Sequence, residues 1–119
     1  MIDQSGIDWE DALQNAPYIP DAEIYPDVWA KRASAFRAGA KAELDIPYGD
    51  HARSRFDLFK PAGTPKGLAV IVHGGFWLKF DKSSWSDLAS GALAHGWAVA
   101  LPSYPLAPEV SIADRKSVV

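Results

Sequence analysis

An α/β fold is what this sequence predicts, and three observations predict it. Leu68–Val72 is continuously apolar, β-branched at Val70, Ile71 and Val72, and flanked by Gly67 and Gly74. Strands buried on both faces of a mainly parallel sheet have that character. Trp85, Leu88, Ala89, Ala92 and Leu93 then recur at the spacing of one helical face, which is an amphipathic helix. Trp97–Leu101 is a second short apolar strand. Strand, helix and strand in about 35 residues form a right-handed crossover unit.

The elements before that unit follow in order. Residues 7–16 read as a short helix with Trp9, Ala12, Leu13 and Ala16 on one face. Ser5 is its expected cap, Asp8 suits its first turn and Pro17 stops it. Residues 18–25, with Pro20 inside and Pro26 following, read as an extended connector. A second helix starts near Pro26, where a missing N–H costs nothing, and runs to about Ala38. Trp29, Ala33 and Phe36 share its face, and Gly39 is the expected terminator. From Ala42 the period changes to two. Leu44, Ile46 and Tyr48 alternate on one strand and Phe56 and Leu58 on the next, an antiparallel pair across the Gly49–His51 turn. Pro61–Gly67 is a loop. Ser83 or Ser84 is expected to cap the later helix, with Asp87 in its first turn and Gly96 at its end.

Composition bounds the function. A chain of 119 residues is one domain or part of one. Its formal net charge of −3, with no basic cluster, argues against nucleic acid as partner. The absence of cysteine excludes disulfides, a thiolate zinc site and a cysteine nucleophile. No basic n-region precedes an apolar h-region, and no stretch reaches the ~20 apolar residues that span a bilayer, so no membrane association and a cytoplasmic location are expected. His51, His73 and His95 match no compact ligand spacing, and no metal site is expected. His95 falls at a helix end, where a cation favours the dipole.

The segment that carries chemistry is His73-Gly-Gly-Phe-Trp77, directly after the apolar strand. Two glycines there let the backbone turn sharply with no Cβ in the way of a ligand. Open α/β sheets bind ligands beyond the carboxyl ends of their strands. Backbone N–H groups left free in such a loop suit a developing oxyanion.

Gly67–Trp77 resembles the oxyanion-hole segment of α/β-hydrolases, in the His-Gly-Gly-x-Trp form of kynurenine formamidases and related esterases. Ser103-Tyr-Pro-Leu-Ala-Pro-Glu109 resembles the Tyr-x-Leu-Ala-Pro-Glu stretch after the next strand of that branch, at the same separation. The likeness is firm over residues 42–113. It implies a serine hydrolase of small esters or aryl formamides such as N-formylkynurenine, working without metal or organic cofactor. Gly75 and Phe76 match the positions whose N–H groups face the oxyanion, Phe76 standing where many relatives have a third glycine. His73 matches a residue that organises the loop by hydrogen bonding, Gly74 belongs to the same loop, and Trp77 matches the aromatic that lines the acyl or formyl pocket. Tyr104 either hydrogen-bonds near the site or packs against the sheet. One departure is Pro105, where many such esterases carry arginine.

The larger departure is catalytic. The resemblance implies a Gly-x-Ser-x-Gly nucleophile elbow, an acid and a histidine downstream of these motifs, and none of the ten serines has the flanking glycines. The chain therefore reads as an N-terminal helical segment (1–41), the front half of a hydrolase domain (42–113) and a tail (114–119). That tail has no periodicity continuing the helix expected from Pro108, and it equals a sequencing-adapter translation, so an assembly artefact is expected there. The alternative function class is a non-catalytic fragment or partner-dependent partial fold. In that reading Leu68–Val72 becomes an exposed edge and one sheet face stays uncovered. Ser83, Ser84 and Ser86 read as structural rather than nucleophilic, Asp81 and Lys82 as a solvated loop, and Trp85 as core. The oligomeric state is not readable from the residues.

Overall fold

The structure, a computed structural model, describes residues 6–111 and 113. Four strands form one sheet in the order β1 (Ala42–Pro47), β2 (Arg55–Phe59), β4 (Ala98–Pro102), β3 (Leu68–Val70). β1 with β2 and β2 with β4 are antiparallel, while β3 and β4 are parallel neighbours, as the crossover pattern predicts.

Helices cover one face of this sheet. α2 (Tyr25–Gly39) takes Pro26 and Asp27 into its first turn, as expected, and retains Gly39 inside the helix; Ala40 is the residue that leaves it. Its buried stripe runs through Ala33, and Phe36 packs on Phe59 with ring centroids 5.5 Å apart. Phe59, Val99 and Leu101 form the centre of the core together with Ala89. Each of those three large side chains contributes about 1.5–3 kcal/mol by leaving water. The helix expected over residues 85–93 is present as a 3₁₀ turn, Ser86–Ala89, running into α3 (Ser90–Ala94). Gly96 ends it at φ +84°.

On the opposite face the β3 edge is open. Leu68 and Val70 pair with Ala98 and Ala100, yet remain 55% and 56% exposed. Burial of this strand on both faces, which its unbroken apolar run suggests, is not observed. β3 lies at the sheet edge, and only Ala69 and Ile71 turn toward the helices.

Three further expectations are corrected. α1 is only Trp9–Ala12, capped by Asp8, whose Oδ1 accepts from the amides of Glu10 and Asp11. Trp9 and Leu13 are exposed because nothing packs on that face, and one turn of helix is marginal without packing. Ser5, its expected cap, lies outside the described residues, as does the tail 114–119. Residues 18–25 are not extended: 3₁₀ turns occupy Ala16–Tyr18 and Ala22–Ile24. In β1 the strict alternation fails at a bulge. Glu43 opposes Leu58 and Ile46 opposes Phe56, so Leu44 and Asp45 together face Asp57. Leu44 thus leaves the face of Ile46.

The bulge serves a buried ion pair. Asp57, 1% exposed, accepts the Asp45 amide at 2.9 Å and the Lys82 ammonium at 2.7 Å on Oδ1. Lys82, 8% exposed, also reaches Asp45 at 2.7 Å. A solvated loop at Asp81-Lys82 is therefore not what forms. Lys82 is an anchor, and Asp81 caps the turn Lys82–Ser84 by accepting from the Ser83 amide and hydroxyl. The cap is thus Asp81, not a serine.

Burial alone would pull the Lys82 pKa down, but its hydrogen bonds to Asp45 and Asp57 and their charges hold it above the ordinary lysine value. The raised folded value means its stabilisation is complete below about pH 10.4 and is lost as pH climbs through the folded pKa. Lys82→Met should lower unfolding free energy by about 3–5 kcal/mol, because Asp57 is left charged and buried. Urea unfolding at neutral pH reads that loss, and the variant's deficit should shrink above about pH 10.4.

Candidate active site

Three connections meet at one end of the sheet, the carboxyl end of parallel β3 and β4. They are residues 71–81 after β3, 103–109 after β4, and the 48–54 turn between β1 and β2. The first carries every residue of the His-Gly-Gly-Phe-Trp motif.

That loop is wound left-handed. Gly75, Phe76, Trp77 and Phe80 have φ of +119°, +53°, +57° and +71°. The Leu78 amide donates to the Gly75 carbonyl at 3.0 Å, closing a turn whose two central residues, Phe76 and Trp77, both have positive φ, the mark of type I′. Bulky aromatics at such positions are outliers that cost of order 1–3 kcal/mol each. Strain of this kind clusters where a backbone must hold a functional shape. Gly75 is required twice over, by its φ and by space: a Cβ there would lie 2.4 Å from the Lys79 carbonyl oxygen. Among the described residues, the N–H groups of Gly74, Gly75, Phe76 and Trp77 donate to no other protein group.

His73 and Tyr104 form the floor beneath this turn. Their rings stack with centroids 4.4 Å apart and planes 9° from parallel. The Tyr104 hydroxyl donates to the His73 carbonyl at 2.6 Å. Of the two alternatives for Tyr104, the hydrogen bond is observed, and the ring stacks on His73. His73 Nδ1 lies 2.7 Å from the Gly74 carbonyl and donates to it, which leaves Nε2 unprotonated, buried and without a protein partner. Burial chiefly holds the His73 pKa below the ordinary histidine value. Asp81 moves the other way: burial alone would raise its pKa, but bonding from Ser83 and the charges of Arg53 and Lys82 bring it below the usual carboxylate value.

The other sequence candidates divide clearly. Phe76 and Trp77 are substantially exposed, available to a ligand. Trp85 is not: it packs against Trp29 at 4.8 Å and Phe80 at 5.9 Å, as core. The Trp77 carbonyl accepts the Ala107 amide at 2.8 Å, tying the motif to the second loop, which includes a cis Ala107–Pro108 bond. Ser86 is buried and accepts from Arg37, a structural role. His95 donates from Nδ1 to the Gly91 carbonyl at the helix end. Pro105 has no cation of its own, yet a guanidinium stands beside it. Arg53 Nε donates to the Tyr104 carbonyl at 2.9 Å. Sequence reading missed Arg53 and the Lys82–Asp57 pair, since neither belongs to a motif. Among the described residues no cluster of three or more metal-ligating side chains occurs, and no helix is long and apolar enough to cross a membrane.

The His73 environment has a measurable consequence. In an NMR titration of its ring resonances, the midpoint should lie below that of a free histidine, so the ring is more neutral than protonated at about pH 6.5. In the unfolded chain the ring takes a proton near pH 6.5. The unfolded state then binds more protons, so this group's contribution to stability should fall as pH drops below about 6.5.

No family model matches the chain. A kynurenine formamidase of Salmo salar is 28% identical over 108 residues, covering 83% of this chain and 37% of that protein. A crystal structure from Silicibacter sp. TM1040, of a protein provisionally named a thioesterase, superposes with a TM-score of 0.91 at 52% identity. That match covers 95% of this chain and 44% of the other. Esterase B of Lactobacillus rhamnosis shares the fold, with a TM-score of 0.58 at 19% identity over 79% of this chain and 34% of its own. The chain thus spans less than half the length of each of these relatives. Sheet order, motif placement and these likenesses agree that the chain has the α/β-hydrolase fold, and it is similar to proteins named as esterases and as a formamidase.

Proposed function

We propose that the chain supplies the oxyanion-binding half of a serine hydrolase active on small esters or aryl formamides. The observation that carries this reading is the left-handed turn at Gly75–Trp77. It is strained, lies at the carboxyl end of two parallel strands, and leaves its N–H groups without protein acceptors. The names of the relatives support hydrolysis as the reaction class.

In the mechanism a serine Oγ adds to the substrate carbonyl carbon while a histidine takes its proton. The carbonyl oxygen becomes an oxyanion, held by the Gly75 and Phe76 N–H groups. Collapse of the tetrahedral adduct breaks the bond to the alcohol or amine, which leaves with that proton. Water then hydrolyses the acyl- or formyl-enzyme by the same two steps. His73 is not the base in this scheme, because its Nδ1 is spent on Gly74 and its Nε2 is buried. Phe76 and Trp77 present aromatic surface to an aryl or acyl group. The reaction calls for no metal or organic cofactor.

A second reading concerns the 119 residues alone, and the open face of β3 favours it. Leu68, Val70 and Val72 expose an apolar edge strand, an aggregation liability. With no Gly-x-Ser-x-Gly in the sequence, the chain by itself is proposed to be poorly soluble and catalytically silent.

A fluorophosphonate probe separates these outcomes. The 119-residue chain should not label. A longer protein carrying this chain and a downstream Gly-x-Ser-x-Gly should label at that serine and hydrolyse p-nitrophenyl acetate and N-formylkynurenine. Gly75→Ala in the longer protein keeps the N–H but puts a Cβ 2.4 Å from the Lys79 carbonyl oxygen, so the turn must shift, and kcat should fall by about 10²–10³, the scale of a misplaced oxyanion donor. Unchanged kcat in that variant would remove the oxyanion assignment.

A further inference from the structure

Arg53 projects from the turn between β1 and β2 and binds both loops of the candidate site at once. Its Nε donates to the Tyr104 carbonyl at 2.9 Å and its Nη2 to the Phe80 carbonyl at 2.5 Å. Tyr104 underlies His73, and Phe80 is the last left-handed residue of the strained loop. The two acceptors therefore belong to the floor and the far end of the same turn.

The turn that carries Arg53 is itself braced. The Arg53 amide donates to His51 Nδ1 at 3.0 Å. That bond makes Nδ1 the acceptor and leaves Nε2 protonated, facing Glu109 Oε1 at 2.9 Å. Glu109 closes the second loop, so His51 ties the start of the arm to that loop as Arg53 ties its end. The Tyr48 hydroxyl adds a third tie, donating to the Ser103 carbonyl.

We propose that Arg53 is a positioning residue, whose guanidinium fork sets the Gly75–Trp77 turn against the Tyr104 floor. Arginine suits the task because its donors lie in one rigid plane and can hold two carbonyls in fixed relation. A lysine ammonium is a point charge on a flexible stem and cannot fix that angle. The guanidinium touches neither the Gly75 nor the Phe76 N–H. It acts on them through Phe80, by restraining the end of a loop that would otherwise relax out of its left-handed conformation. This inference rests on reading the loop as functional, but its physical content concerns the loop's order.

Amide hydrogen exchange of the longer protein that carries this chain, resolved residue by residue by NMR, tests it directly. Arg53→Ala should speed exchange of the Leu78 amide, which closes the turn on the Gly75 carbonyl, by about tenfold or more, the scale of a lost charge-assisted hydrogen bond, with residues 98–102 unchanged. Sub-denaturing guanidinium should restore much of the protection, which a loss of general packing would not allow. Arg53→Lys keeps the charge and the fold and should still speed the loop, so it decides the matter if Arg53→Ala loses structure throughout. Unaltered exchange of the Leu78 amide in Arg53→Lys, or in a folded Arg53→Ala, overturns the proposal. In the longer protein with the serine, Arg53→Lys should lower kcat with KM little changed. Faster loop exchange without any hydrolysis by that wild-type protein would sink the hydrolase reading and leave Arg53 standing.

Discussion

A charge taken out of water must be neutralised where it lies, and the buried pairing of Lys82 with Asp57 governs much of this structure. Asp57 sits on the helix-covered face of β2, in phase with Phe59 and opposite Leu101. An apolar residue would be the simple choice at that position. With a carboxylate there, the sheet must supply donors, and it does so through the bulge in β1 and the ammonium of Lys82. The pair need add little net stability over an apolar substitute. What it does is fix positions: Lys82 cannot move without stranding Asp57.

That constraint shapes the loop. β3 ends at Val70, with one further bond from the Ile71 amide to Ala100. The chain must be back under α2 by Lys82, whose amide donates to Ser103 Oγ. A short span pinned at both ends turns within a few residues, and the left-handed run at Gly75, Phe76 and Trp77 is how it does so. The strain is held by bonds at its margins: Tyr104 to the His73 carbonyl, Ala107 to the Trp77 carbonyl, and Arg53 to that of Phe80. Without those restraints, aromatics at positive φ would relax.

Most of the fold was legible because its signals are local. The period-two runs gave the antiparallel pair, the helical stripe at Trp29, Ala33 and Phe36 gave α2, and the run at Leu68 placed β3 next to a parallel neighbour. The motif marked the turn, and Phe76 in a glycine-like position made sense only once its φ was seen. What stayed hidden depends on tertiary partners. The face at Trp9 and Leu13 looks like a helix stripe, yet one turn forms because no element covers it. The bulge at Leu44-Asp45 is dictated by Asp57, twelve residues on from Asp45, and Lys82 looks like any loop lysine until both aspartates are beside it.

The two sides of the sheet differ in a way that bears on function. On the helix side, Phe59, Val99 and Leu101 are closed off and Asp57 Oδ1 is held by the Lys82 ammonium, so that face can hold the carboxyl ends of β3 and β4 in register. On the other side Leu68 and Val70 are more than half exposed. Rigidity at the site therefore comes from one face and from the loop ties, and β3, the strand that launches the motif, has a hydrogen-bonded neighbour on one side only. An element covering the open face would bury Leu68, Val70 and Val72 together, adding of order 1.5 kcal/mol or more per side chain on the strand from which the turn departs. Order at the strained turn and coverage of β3 are thus coupled through three residues of backbone, Ile71 to His73.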